Sequence, residues 1–251
     1  MYTKVKTKEE IVAMRESGAM LAQVLHHVKD QLAIDMTTQE ASDLAGAELK
    51  RLGGKPAFLG YQGFPEPLCI SVNDEVVHGI PRRNFVIRDG DIVSMDFGVE
   101  YRGMITDSAV SVIVGHVNPL DEELLHATKK SLDAGIAVIK DGVRIGDIAA
   151  AVQAVLDEAG YGIVRELVGH GVGHYVHEEP NIPNYGKAGT GPTLKAGMTV
   201  AIEPMATSGH HAIQVDSDGW TVRTRDGSRS AHFEHTVLVT DKGAEVLTRK
   251  D

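Results

Sequence analysis

The sequence predicts an α+β fold built twice: two related units, each a pair of helices followed by strands, joined into an antiparallel sheet covered by helices. Three observations predict it. Amphipathic helical stretches occur as two pairs, and each pair is followed by β-rich runs. A single offset of 107 positions relates Gly53 to Gly160, both helix stops, and Asp96 to Glu203, both acids in apolar runs. The flanking text agrees, with Ile87-Arg88-Asp89-Gly90-Asp91-Ile92-Val93-Ser94-Met95-Asp96 against Leu194-Lys195-Ala196-Gly197-Met198-Thr199-Val200-Ala201-Ile202-Glu203. Two copies of one unit make a pseudo-two-fold arrangement rather than a solenoid. The expected organisation is one domain over 1–251, with internal halves of about 8–115 and 119–240.

Each element has its own signal. Thr7-Lys8-Glu9-Glu10 is a capping box, and Ile11, Met14, Gly18, Leu21, Leu25 and Val28 recur at helical spacing, so a helix is expected over about 8–30. Thr37-Thr38-Gln39-Glu40 opens a second helix that Gly53-Gly54 closes. Residues 58–65 read as a loop, 68–72 as a strand, and 76–81 as a strand end running into a turn. Arg88-Asp89-Gly90-Asp91 turns into a long hairpin over 92–114. With Tyr101-Arg102 as its two-residue loop, Asp96 lies directly opposite Asp107 on the same face. Two like charges so placed call for a cation between them. A register one residue off would turn both into solvent. A third helix follows Asn118-Pro119 to about 140, and a fourth runs from about 146 to 159. Then come the glycine-rich Gly169-His170-Gly171-Val172-Gly173-His174 and a strand over 198–203 that ends at Pro204. The tail is expected to pair 221–225 with 232–239 across Asp226-Gly227-Ser228.

Composition bounds the function. With 251 residues, 42% apolar and 24% charged, the chain is of the globular class with room for a sizeable core. No apolar run approaches a membrane span, and the opening MYTKVKTKEEI has no apolar signal core. The single cysteine, Cys69, fits a reducing compartment, so a cytoplasmic location and no membrane partner are expected. A net charge of −10 argues against specific nucleic-acid binding. Twelve histidines make a metal site worth seeking.

The candidate constellation is Asp96, Asp107, His170, Glu203 and Glu234. Four carboxylates and one imidazole form a hard, oxygen-rich set that suits Mn, Fe(II), Co or Mg better than a thiolate-type zinc site. Four carboxylates over-neutralise one divalent ion, whereas two ions balance them, and a two-metal centre of this kind serves hydrolysis. Glu203 lies in a run too apolar for a solvated edge, where an unpaired carboxylate would be costly. Glu234 alone also fits a strand surface, given the alternation of His232-Phe233-Glu234-His235-Thr236. Gly169, Gly171 and Gly173 exclude a helix that would make His170 and His174 a zinc pair, and they let the backbone approach a ligand closely. His177 is placed beside the metal site or facing substrate. His78, after an apolar strand, fits a core role as well as a catalytic one.

Several of these stretches together resemble the type I, bacterial-type methionine aminopeptidases. The likeness rests on Asn73-Asp74-Glu75-Val76-Val77-His78-Gly79-Ile80-Pro81, Ser94-Met95-Asp96-Phe97-Gly98, Thr106-Asp107-Ser108-Ala109, Gly169-His170-Gly171-Val172-Gly173, His177-Glu178, Ile202-Glu203-Pro204 and Phe233-Glu234-His235-Thr236. The resemblance implies the duplicated "pita-bread" (creatinase/aminopeptidase-like) fold and a single catalytic domain. It implies removal of the initiator methionine from nascent chains with a small second residue, by attack of a hydroxide generated at two divalent metal ions (Co, Mn, Fe(II) or similar). It makes Asp96, Asp107, His170, Glu203 and Glu234 the metal ligands, with Asp107 and Glu234 bridging and Glu203 also shuttling the proton. It gives His177 the scissile carbonyl and His78 the substrate amide beyond the first residue. Tyr61, Phe64, Cys69 and Trp220 fall on the methionine pocket, with Phe58 and Val176 nearby; packing alone would otherwise explain them. The expected partners are N-termini of nascent polypeptides, with a transient ribosome contact and a monomeric state. Phe58, Gln62, His174 and Val176 depart from the residues frequent in this family, which bears on pocket shape. The alternatives are a proline-specific aminopeptidase or dipeptidase of the same fold, and a peptide-binding module that has lost its metals.

Overall fold

The computed structural model describes residues 2–249. Helices α1 (Lys8–Gln31) and α2 (Thr38–Leu52) precede strands β1 (Lys55–Pro56), β2 (Leu68–Val72), β3 (Glu75–Val77), β4 (Asp91–Tyr101) and β5 (Met104–Val114). Helices α3 (Pro119–Ala137) and α4 (Ile145–Ala159) precede β6 (Gly162–Ile163), β7 (Gly169–Gly171), β8 (Glu178–Ile182), β9 (Thr199–Ile202) and β10 (Met205–Thr207). The chain continues through β11 (Ile213–Val215), β12 (Val222–Thr224), β13 (Ser230–His232), β14 (His235–Val239) and β15 (Ala244–Val246).

The helix ends follow from local chemistry. Both α1 and α2 start in reciprocal capping boxes, Thr7 with Glu10 and Thr37 with Glu40. Gly53 and Gly160 end α2 and α4 in the left-handed conformation that a Cβ disfavours. Helices α2 and α4 are 15 residues each, and both of their ends are 107 positions apart. The third helix stops at Ala137, short of the expected 140, because the chain from Val138 turns into the loop before α4.

Packing gives each half its own core. Leu21, Val24, Leu25 and Val28 of α1 and Ala41, Ala45 and Leu49 of α2 meet Leu68, Ile70, Val93, Met95 and Phe97 of β2 and β4. In the second half, Leu132, Ile136, Ile145 and Ile148 meet Val200, Ile202, Val237 and Val239. Side chains of this size contribute about 1.5–3 kcal/mol each when fully buried.

The strands are antiparallel but do not form one continuous ladder. They fall into four hydrogen-bonded sheets, of which β1-β4-β2 with β5, and β15-β14-β9-β7-β8, carry the two halves. The halves meet along β5 and the start of β14. Ala109 and Glu234 exchange backbone hydrogen bonds, with N···O distances of 3.0 and 3.4 Å. Hydroxyls close the remaining backbone groups there: Thr236 Oγ1 accepts from Asp107 N and donates to Asp107 O, Ser108 Oγ donates to Glu234 O, and Ser111 Oγ donates to His232 O. This seam runs through two of the predicted ligands, Asp107 and Glu234.

Three further expectations are corrected. The hairpin loop is Arg102-Gly103, with Tyr101 opposite Met104, not Tyr101-Arg102. Arg102 (φ 52°) and Gly103 (φ 78°) are both left-handed, the requirement of a type I′ turn, so Gly103 belongs inside the loop rather than at its exit. Asp96 therefore faces Ala109, and Asp107 faces Gly98. The tail does not pair 221–225 with 232–239. Instead β12 pairs with β11 and β3, β13 with β10, and β14 with β9 and β15. Both edges of β12 are taken, one by β11 and the other by β3, which leaves none for 232–239. The strand expected over 198–203 spans only Thr199–Ile202, leaving Glu203 just past its end.

Candidate active site

Strands β4, β5 and β7, the end of β9 and the link between β13 and β14 bring five side chains to one cavity. Asp96 and Asp107 sit two positions out of register on β4 and β5. Because strand side chains alternate with period two, both still point to the same face. His170 is the middle residue of β7 and pairs with Ala201 of β9. Glu203 follows β9 directly, and Glu234 lies between β13 and β14. The glycines around His170 serve interstrand packing rather than approach to a ligand. A Cβ on Gly169 would collide with Ala201 O, and one on Gly171 would meet Thr3 Cβ at 2.7 Å and Glu179 O at 2.8 Å.

The geometry is that of a buried acidic cluster around one imidazole. His170 Nε2 lies 3.4 Å from Glu203 Oε1 and 4.0 Å from Asp107 Oδ2. One ligand-type atom from each of Asp107, His170 and Glu234 lies within 4.8 Å of the others. His170 Nδ1 donates to Gly171 O at 2.9 Å, which leaves the Nε2 lone pair facing the carboxylates. Asp96 Oδ1, Asp107 Oδ1 and Glu234 Oε1 are buried with no hydrogen-bond partner.

The electrostatics show what the cluster can hold. Burial pushes the Asp96 carboxyl up to about 7. Burial, then the negative charge of their neighbours, holds Asp107, Glu203 and Glu234 well above the carboxylate range. Burial drives the His170 imidazole down to about 3. Protein groups alone leave these oxygens unpaired, a cost that a divalent cation removes. The donor set, its orphaned oxygens and the neutral His170 nitrogen thus fit a metal centre.

A cavity of about 140 Å³ opens onto the cluster and is walled by Phe58, Tyr61, Phe64, Cys69, His78 and Trp220, among others. Trp220 packs edge-on to Phe64 (5.2 Å between centroids) and to His78 (6.3 Å). Cys69 pairs with Asp96 across β2 and β4, and burial together with the nearby carboxylates keeps its thiol protonated, so it is an apolar wall. Val176 packs with Phe58, Phe64 and Cys69 beneath the cavity. Gly98 admits Phe58, whose ring would lie 2.6 Å from a Cβ there.

The two further histidines reach the same cavity. His177 stands at its rim, its ring 4.4 Å from that of His170, and its Nδ1 lies 2.9 Å from the Tyr61 hydroxyl. His78 has φ 59°, a left-handed conformation rare for such a residue. Gly79 next to it is pressed so close to β2 that a Cβ would collide with Ile70 O. His174 points away from the cavity and bonds Glu10 of α1 at 2.8 Å.

Sequence reasoning missed His232. It is buried with both ring nitrogens unpartnered, and its Nε2 lies 3.9 Å from Glu203 Oε2. Its place in an alternating strand gives no signal that it abuts the site. Gln62 and Val77 also line the cavity.

The model of metallopeptidase family M24 matches residues 12–241. The chain belongs to this family. Among M24 relatives, the methionine aminopeptidase 1 of Bacillus subtilis is 42% identical over 97% of this chain and 98% of its own. A crystal structure of a methionine aminopeptidase from Thermotoga maritima superposes with a TM-score of 0.97 at 44% identity, covering 99% of this chain and 100% of that one. A prolidase from Pyrococcus furiosus shares the fold at a TM-score of 0.79 and 23% identity, covering 98% of this chain and 66% of its own. The M24 chain thus has the duplicated pita-bread fold that the sequence predicts.

Proposed function

We propose that this chain is a methionine aminopeptidase, a metal-dependent hydrolase that removes the N-terminal methionine from nascent proteins and peptides with a small second residue. The observation that carries the reading is one cavity lined on one side by Phe58, Phe64, Cys69 and Trp220 and on the other by a buried, cation-seeking carboxylate cluster.

In this reading Asp96, Asp107, His170, Glu203 and Glu234 would hold the divalent ions, two of which would balance the four carboxylates. Their hard oxygens suit Co, Mn or Fe(II). Metal ions at such a site activate water and polarise a carbonyl oxygen.

The chain's own side chains do the rest. Glu203 is 12% exposed and carries the proton from the attacking water to the leaving amine nitrogen. The Tyr61 hydroxyl lies 2.9 Å from His177 Nδ1, and this role uses the tautomer in which the hydroxyl donates there and the ring proton sits on Nε2, facing the scissile carbonyl oxygen. His78, kept neutral by burial that lowers it to about 4, contacts the amide beyond the first residue. Phe58, Tyr61, Phe64, Cys69 and Trp220 enclose the methionine side chain and exclude water.

A peptide series tests this in metal-replete buffer. Met-Ala-Ser is cleaved at least tenfold faster than Met-Leu-Ser. Comparable rates on the two, or preference for Xaa-Pro substrates, would sink the reading.

A further inference from the structure

The loop that carries His177 is tied to the beginning of the chain by a buried ion pair. The Lys6 side chain is 0% exposed and that of Glu178 is 2% exposed. The Lys6 ammonium donates to Glu178 Oε2 (3.3 Å), Thr3 Oγ1 (2.9 Å) and Lys4 O (3.1 Å). Glu178 Oε1 accepts the backbone N–H groups of His174 (2.7 Å) and Tyr175 (3.1 Å), so one carboxylate ties both the loop and the N-terminal segment. Gly173 makes room for the lysine, since a Cβ there would collide with Lys6 Cε. Backbone bonds extend the strap: Thr3 N donates to Glu179 O, and Lys6 N donates to Gly197 O. One helical turn later, His174 Nε2 donates to Glu10 Oε1.

Stability is a poor reason for such a pair. Enclosing an ammonium and a carboxylate costs more than their attraction reliably returns, and well-packed apolar residues often hold a fold as well or better. Burial indeed lowers the Lys6 pKa, with Glu178 opposing the shift. What apolar residues do not supply is direction. Neighbouring residues of an extended chain point to opposite sides. Glu178 opens β8 with its carboxylate turned inward to Lys6, and it is bonded directly to His177, the last residue of the preceding bend, whose ring faces the cavity rim beside Tyr61; fixing the one side chain therefore restrains the other.

We propose that the segment from Thr3 to Glu10 is a strap that aims His177, with Lys6 as its central positioning residue. This rests on the role given to His177 above.

The test compares kcat and KM on Met-Ala-Ser at saturating Mn, with Mn affinity by calorimetry and Tm as controls. The double variant Lys6→Met with Glu178→Gln removes both charges together, so no unpaired ion is left buried, and the introduced amide oxygen keeps an acceptor for the loop N–H groups. It lowers kcat about tenfold or more, with Mn affinity and KM within twofold of the parent. His174→Ala removes the contact to Glu10 and the 3.7 Å approach of its ring to Glu178 Oε1, keeps the backbone N–H that donates to Glu178, and lowers kcat two- to threefold without moving Tm; it decides the matter if the double variant does not fold. His177→Ala separates the two claims. If His177→Ala lowers kcat a hundredfold while both strap variants stay within the parent range, the strap is overturned and the role of His177 stands. If His177→Ala keeps the parent kcat, the role of His177 falls and the strap with it. A parallel loss of kcat and Mn affinity in the strap variants also overturns the proposal, because the segment would then act through the metal site.

Discussion

At the scale of single residues, the site is a set of carboxylates that only a cation makes tolerable. Asp96 is pushed up to about 7, and Asp107, Glu203 and Glu234 stand well above their usual range. Without metal, the folded protein therefore holds protons that the unfolded chain releases near pH 4. The stability so gained is complete below about pH 4 and is lost as pH rises through about 7 and above. Metal competes with those protons. The rise in Tm on adding saturating Mn is accordingly larger at pH 8 than at pH 5.5, as thermal unfolding with and without Mn will show. Glu203→Gln keeps the shape but not the proton acceptor, and kcat drops on the order of 10²–10⁴-fold in a steady-state assay with Mn saturating. Tyr61→Phe keeps the ring against His177 and loses only the hydroxyl. Its kcat falls about tenfold while KM for Met-Ala-Ser changes little. The clustered acids and His170 were legible from residue type and spacing. His232 was not, because a histidine in an alternating strand carries no mark of what it packs against.

At the scale of elements, parity protected the central inference from an error of register. The hairpin loop is Arg102-Gly103, two positions out in pairing from the expected one. A shift of two preserves the face, so Asp96 and Asp107 still converge. The sequence held the correction: a two-residue loop with a single glycine favours that glycine inside the turn. Capping boxes and glycine stops were local and were read to within a few residues. The pairing of β12 with β3 was not, since residues near 222 and near 77 share no local pattern that announces contact. The strand of His170 makes its own prediction. Gly169→Ala drives a methyl toward Ala201 O and destabilises the protein by about 1–3 kcal/mol, which a denaturant titration measures. Because β7 then shifts off β9, Mn affinity weakens as well.

At the scale of the whole molecule, duplication explains why a centre forms at all. Each half supplies two carboxylates, Asp96 and Asp107 from the first, Glu203 and Glu234 from the second. Neither half alone would hold a cation with so many oxygens. The 107-residue offset made one pair, Asp96 with Glu203, visible in the sequence; Asp107 and Glu234 follow no such offset. The hydroxyls of Ser108, Ser111 and Thr236 that fasten the seam were invisible, because nothing local distinguishes them from other small polar strand residues. Among the described residues no helix is long and apolar enough to cross a membrane. The central claim is that a metal-dependent aminopeptidase for N-terminal methionine resides at this seam. The most direct measurement is hydrolysis of Met-Ala-Ser before chelation, after chelation, and after add-back of Co, Mn or Fe(II) one at a time. Activity is lost with chelator and returns with at least one of these ions. Undiminished hydrolysis in metal-free enzyme, or no hydrolysis with any of the ions, would contradict it.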